Sequence, residues 1–140
     1  MSDYTNIDLF RIYSGTTFAF LYEAFPLSTK LNAGQLVEHC DIANDQASRA
    51  AHELIVRETW RWLIVTGYLR YDTTSDTFDL TPKSFEGLTF LDDATGCVCR
   101  GDKLRQLSRK AGVETASETM AEIVTSILGS GTRAALSFLA

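Results

Sequence analysis

Between Ile7 and Phe25 apolar residues recur with helical spacing: Phe18, Leu21, Tyr22 and Phe25 fall at i, i+3, i+4 and i+7 along one face. Pro26 ends this first helix, because proline disfavours the helical conformation in the residue before it. Gly15 costs a helix about 1 kcal/mol relative to alanine and marks a place where it can bend or fray. Asn32 and Gln35 have the spacing of a capping box and open a short second helix through Leu36, Val37 and Cys40. After the polar connector Asp41 to Asp45, a longer helix is predicted from about Gln46 to Thr66. Its apolar positions Ala47, Ala51, Leu54, Ile55, Trp62 and Val65, broadened by Val56, Trp60, Leu63 and Ile64, make a face wide enough for more than one neighbour. Gly67 sits where a left-handed helix cap is expected.

The pattern then changes period. Tyr68-Leu69-Arg70-Tyr71 and Thr77-Phe78-Asp79-Leu80 are β-prone and flank the turn-forming stretch Asp72 to Asp76, which predicts a hairpin and the main β-structure of the chain. Thr81-Pro82 supplies an N-cap and a proline at the first helical position, opening a helix through Phe85, Leu88 and Leu91. The order is helix, helix, helix, hairpin, helix.

That order and the run from Trp62 through Gly67-Tyr68-Leu69 to Leu80-Thr81-Pro82-Lys83-Ser84-Phe85-Glu86-Gly87-Leu88 resemble winged helix-turn-helix proteins. In that family the third helix ends on a glycine, and the second wing strand leads into a leucine-threonine-x-lysine-glycine helix start. Here Leu80, Thr81 and Lys83 match, and Ser84 stands where the glycine is common. More loosely, the chain resembles bacterial and phage winged-helix proteins with a basic linker and a small-residue C-terminal helix. The resemblance implies a mainly α fold: a winged-helix core over residues 1–91 with a small two-stranded β-wing, followed by a helical extension.

The extension has two parts. Residues 92–116 read as a loop and a basic linker helix, with Asp102 as the cap for Leu104, Leu107 and Ala111. Residues 117–140 read as an amphipathic helix, with Met120, Ile123, Val124, Ile127, Leu128, Phe138 and Leu139 mostly on one side. Glu122, Arg133 and many hydroxyls exclude a membrane span there. The expectation for this stripe is self-association or docking on a partner; folding back on the chain's own core is the alternative.

Charge adds a second contrast. The 140-residue chain carries a formal net charge of −5, with seven basic against fourteen acidic residues up to position 99. Arg100, Lys103, Arg105, Arg109 and Lys110 then face Asp102 alone. A nucleic-acid binder ordinarily carries a basic face, because neutralised phosphates release counterions. Here the expected wing displays Asp72, Asp76 and Asp79 against Arg70. The third helix mixes Arg49, His52, Arg57 and Arg61 with Glu53 and Glu58, where Arg49–Glu53 and Glu53–Arg57 have i, i+4 spacing for ion pairs. Trp60 and Trp62 cannot point at the same spot. Core packing of both is the preferred reading, and one core residue beside one contact residue is the alternative.

Motifs for catalysis are missing: the two histidines, His39 and His52, form no H-E-x-x-H, and there is no G-x-S-x-G elbow or phosphate-binding loop. Cys40, Cys97 and Cys99 give one tight C-x-C rather than two spaced pairs, so they read as unreactive thiols in a reducing compartment rather than a zinc site. Met1 to Ile7 has no basic leader pattern, which gives a cytoplasmic expectation. The expectation is a non-catalytic interaction module without cofactor or metal. Its partner is a second copy or another protein. Duplex DNA, reached through the third helix and the 100–110 segment, is the alternative partner, and a membrane surface is the least favoured.

Overall fold

A computed structural model of the chain describes residues 4–89, 100–109 and 121–128. Within them run α1 (Asn6–Ala24), α2 (Ala33–Cys40), α3 (Gln46–Val65), β1 (Leu69–Asp72), β2 (Thr77–Leu80), α4 (Pro82–Thr89) and α5 (Arg100–Arg109). A further helix, α6, covers residues 121–128. The fold is mainly α, with an antiparallel hairpin directly after the third helix.

Side chains satisfy the free amides at the helix starts. Thr5 Oγ1 accepts the Asp8 amide at 3.1 Å while the Asp8 carboxylate accepts the Thr5 amide at 3.0 Å, a reciprocal capping box. Asn32 caps α2 through the Gln35 amide and Asp45 caps α3 through the Ser48 amide, at 3.1 and 2.7 Å. These bonds hold the Asp8 and Asp45 carboxyls below the usual carboxylate range. α1 runs unbroken through Gly15.

The hairpin pairs Leu69 with Leu80, Arg70 with Asp79, Tyr71 with Phe78 and Asp72 with Thr77. A bridge between Thr29 and Phe78, with amide bonds of 2.8 and 2.7 Å in both directions, ties the α1–α2 connector to the hairpin. The junction of α3, hairpin and α4 is cross-linked by the residues of the Leu80-Thr81-Pro82-Lys83 run. Thr81 Oγ1 donates to the Gly67 carbonyl at 2.6 Å, and Lys83 Nζ donates to the Thr66 carbonyl at 3.2 Å while lying 4.1 Å above the Tyr68 ring. Gly67 turns the chain there with a φ of +88°, a conformation glycine adopts without strain. Ser84 is buried: its Oγ accepts the Thr81 amide at 3.1 Å, and its own amide reaches Thr81 Oγ1 at 3.3 Å. The serine thus completes a reciprocal cap that a glycine would leave half made.

α1 is the centre of the molecule. Every residue from Ile12 to Ala19 is buried, polar Ser14, Thr16 and Thr17 included. Thr16 and Thr17 return their hydroxyls to the carbonyls of Ile12 and Tyr13, at 2.8 and 2.7 Å, which makes burial of those groups tolerable. α3, α2 and β2 cover part of this helix, and α5 is its most extensive partner.

This corrects the view of residues 100–109 as a linker outside the core. Leu104 and Leu107 are buried, and Gly101 lies so close to the Tyr22 ring that an added Cβ would stand 2.6 Å from it. α5 begins at Arg100, which puts Asp102 in its first turn rather than at its cap, with Arg105 at 3.5 Å. α6 is likewise part of the core. Ile123, Val124 and Ile127 are buried within the chain itself, Ile127 lies against Gly87 of α4, and Tyr68 donates its hydroxyl to the Leu128 carbonyl at 3.0 Å. The expected self-association stripe therefore loses these three residues to the interior, where α4 offers Ile127 a close-fitting surface at Gly87. Leu128 is half-buried, and Met120, Phe138 and Leu139 lie outside the described residues.

Candidate functional site

α3 has two different faces, and both carry apolar side chains. His52, Val56, Thr59, Trp60 and Leu63 turn inward, at i, i+4, i+7, i+8 and i+11. Their polar groups meet partners on α1: Tyr13 Oη lies 2.7 Å from His52 Nδ1, and Trp60 Nε1 donates to Thr17 Oγ1 at 3.0 Å. Burial pushes the Tyr13 hydroxyl pKa up and the His52 imidazole pKa down, which favours the neutral form of each. His52 is thus an interior residue and does not share the surface on which it was expected beside the arginines.

Of the wide apolar stripe read in α3, Val56, Trp60 and Leu63 are buried, Ile55 is half-buried, and Ala47, Ala51, Leu54, Trp62, Ile64 and Val65 lie outside. Leu54, Trp62 and Val65 are 57 %, 46 % and 78 % exposed. Trp60 and Trp62 divide into one core and one surface residue, which replaces the expectation that both are core. Trp62 stands edge-on to Phe10 of α1 at 5.3 Å and stacks towards Tyr68 at 6.4 Å. Between α1 and the C-terminal half of α3 these side chains line an open groove of about 700 Å³, walled by Phe10, Leu54, Ile55, Trp62 and Val65 and edged by Asn6, Glu58 and Arg61.

The charged residues are distributed around this groove rather than gathered into a cradle. Arg49, Arg57 and Arg61 are exposed on α3. The ion pair on this helix joins Glu58 to Arg61 at 3.9 Å; the expected Arg49–Glu53 and Glu53–Arg57 pairs do not form, because Glu53 leans onto Gly34 of α2. The hairpin exposes Asp72 and Asp76, Arg70 is taken by Asp79 at 3.3 Å, and Tyr71 donates to Asp76 at 2.6 Å. Arg100, Lys103 and Arg105 sit on α5, which packs on α1 and α4, whereas α3 packs on α1, α2 and β1. The two basic groups therefore belong to different parts of the molecule. The Arg109 side chain and Lys110 lie outside the described residues.

Cys40 is buried, 3.5 Å from Thr16 Oγ1, and burial pushes its thiol up to about 11, which suppresses the reactive thiolate. Cys97 and Cys99 lie outside the described residues. Among the described residues no group of three His, Cys, Asp or Glu side chains is placed to hold a metal ion, and no helix is long and apolar enough to cross a membrane.

The chemistry available at the groove is contact chemistry: aromatic and aliphatic surface beside one acid and one base. Sequence reading named the α3 residues of this groove other than Thr59 but neither Phe10 nor Asn6, and it did not separate the exposed side of the apolar stripe from the buried one. No protein-family model, curated protein or solved structure matches the chain.

Proposed function

We propose that the chain is a non-catalytic winged helix-turn-helix module that binds protein through the outer face of α3, not duplex DNA. The winged-helix reading is supported by the helix order, the hairpin directly after α3, and the Thr29–Phe78 bridge that gives the hairpin a third, one-residue strand. The observation that carries the protein-binding reading is the exposed apolar groove of Phe10, Leu54, Ile55, Trp62 and Val65 on the helix that DNA-binding winged helices insert into the major groove. Exposed aromatic and aliphatic side chains gain by burial against another protein, whereas a phosphate-lined groove rewards cations. The acidic hairpin beside α3 opposes phosphate in the same sense.

Binding to random-sequence duplex DNA across a salt series tests this. The expected result is negligible affinity at physiological salt and no steep dependence below it. The second reading, a DNA-binding regulator, draws on exposed Arg49, Arg57 and Arg61 together with the basic α5. It replaces the first if affinity falls steeply with salt and if changing Lys103, Arg105, Arg109 and Lys110 to alanine flattens that fall.

A further inference from the structure

We infer that the outer face of α3 is a two-fold self-association surface, on which a second copy of this chain packs antiparallel, helix against helix. The inference deepens the protein-binding reading above and rests on it. At about 100° per residue, the positions diametrically opposite the inward set of His52, Val56, Thr59, Trp60 and Leu63 are Leu54, Glu58, Arg61 and Val65. All four are exposed, the two charged side chains at 62 % and 76 %.

Read along the helix, this stripe is apolar, acidic, basic, apolar. An isologous interface requires that if residue i meets residue j, then j also meets i. A two-fold axis crossing α3 midway between Glu58 and Arg61 satisfies that requirement along the whole stripe. It sets Leu54 against Val65 of the second copy, and Glu58 against Arg61 of the second copy, each contact occurring twice. Were either charge reversed, like charges would meet at the centre; were either end polar, an apolar side chain would lose its cover.

The flank agrees with the stripe. Ile55 and Trp62 lie on the same side of α3, towards Phe10 and the open groove. Under this axis a flank meets the same flank of the other copy, so Ile55 of one copy comes beside Trp62 of the other. The self-complementary order of charge is what selects a second copy as the occupant. An unrelated partner, or another segment of this chain, imposes no symmetry on the stripe. In the dimer α3 is covered, and no face of it is left to enter DNA.

Sedimentation velocity of the full chain over a wide concentration range tests the inference, with two charge variants at exposed positions. The wild type is expected to show a reversible monomer–dimer equilibrium. Glu58→Arg alone and Arg61→Glu alone should each weaken it by about tenfold or more, because each sets like charges together twice at the axis. An equimolar mixture of the two variants should associate again, since one then carries two bases and the other two acids at the facing positions. Neither variant regains the pair within its own helix, so recovery in the mixture reports contact between copies. Thermal melts of each variant establish that the fold is kept.

A wild type that stays monomeric at high concentration overturns the inference, whatever else covers the face. A dimer indifferent to both variants, or a mixture that stays monomeric, overturns this interface. A monomeric wild type that ignores duplex DNA removes only the second copy and leaves the protein-binding reading; salt-steep affinity for duplex removes that reading.

Discussion

Ile127→Ala should cost the fold about as much as the loss of any central side chain. Ile127 is 1 % exposed, and its Cγ2 stands 2.9 Å from where a Cβ on Gly87 would be, so its methyl groups rest on the backbone of α4. Backbone of a packed helix cannot collapse into the vacancy, which places the cost within the usual range of about 2–5 kcal/mol for such truncations. Against a total stability of about 5–15 kcal/mol this is a large fraction. At a urea m-value of about 1.5–2 kcal/mol/M, the unfolding midpoint should fall by roughly 1–3 M with an unchanged slope. Thr125→Ala, on the exposed side of the same helix, should stay within about 0.5 kcal/mol of wild type. Urea unfolding followed by circular dichroism at two protein concentrations is the assay. Equal effects of the two substitutions would refute the placement of α6 in the core. So would a concentration-dependent midpoint that Ile127→Ala abolishes, since α6 would then be buried between copies.

Gly101→Ala should destabilise the chain by about 1–3 kcal/mol, because the added methyl drives into the Tyr22 ring and separates α5 from α1; thermal unfolding measures it, and a neutral result would contradict the close approach of these helices. His52 should make stability fall on acidification. Its pKa is lowered by burial in the fold, so the unfolded chain binds the proton more tightly. The contribution is therefore complete above the unfolded value of about 6.5 and is lost as pH falls from there to the lowered folded value. Unfolding free energies at pH 7.5 and 5, compared with those of His52→Gln, check it, and an identical drop in the variant would remove His52 as the cause.

Local signals carried much of the fold. Asn32, Gly67 and Thr81-Pro82 mark boundaries through chemistry that acts within one turn of the chain, and the two β-prone runs around Asp72 to Asp76 mark the hairpin. What sequence reading missed is what depends on a second element. α1 was credited with one apolar face, yet from Leu9 to Leu21 it carries a single charge, Arg11. A helix lacking a polar side needs cover all round, which explains why α5 belongs to the core. The bridge from Thr29 to Phe78 involves one residue on each side and leaves no periodic trace.

α3 shows the limit most clearly. The apolar stripe read in sequence joined Leu54, Trp62 and Val65 to Val56, Trp60 and Leu63, and the structure turns the first three outward and the last three inward. His52, Thr59 and Trp60 point inward because α1 offers Tyr13 and Thr17 as partners. Those partners lie about forty residues away in sequence, so no window along α3 reveals them. The candidate surface was thus legible as part of a wide apolar stripe, whereas which side of that stripe faces out was not.

The two bonds from α1 to α3 also fix the rotational register of the third helix. Slipping α3 by one residue turns it by about 100°; in one direction it carries Ile55 and Trp62 into the places of Val56 and Leu63, and Glu58 into that of Thr59. The same slip takes His52 away from Tyr13 Oη, which leaves that buried hydroxyl without its partner at about 1–3 kcal/mol, and breaks the bond from Trp60 to Thr17. The buried tyrosine–histidine and threonine–tryptophan contacts therefore work as an orientation key. They decide which of two greasy sides of one helix the molecule keeps for itself and which it shows to others.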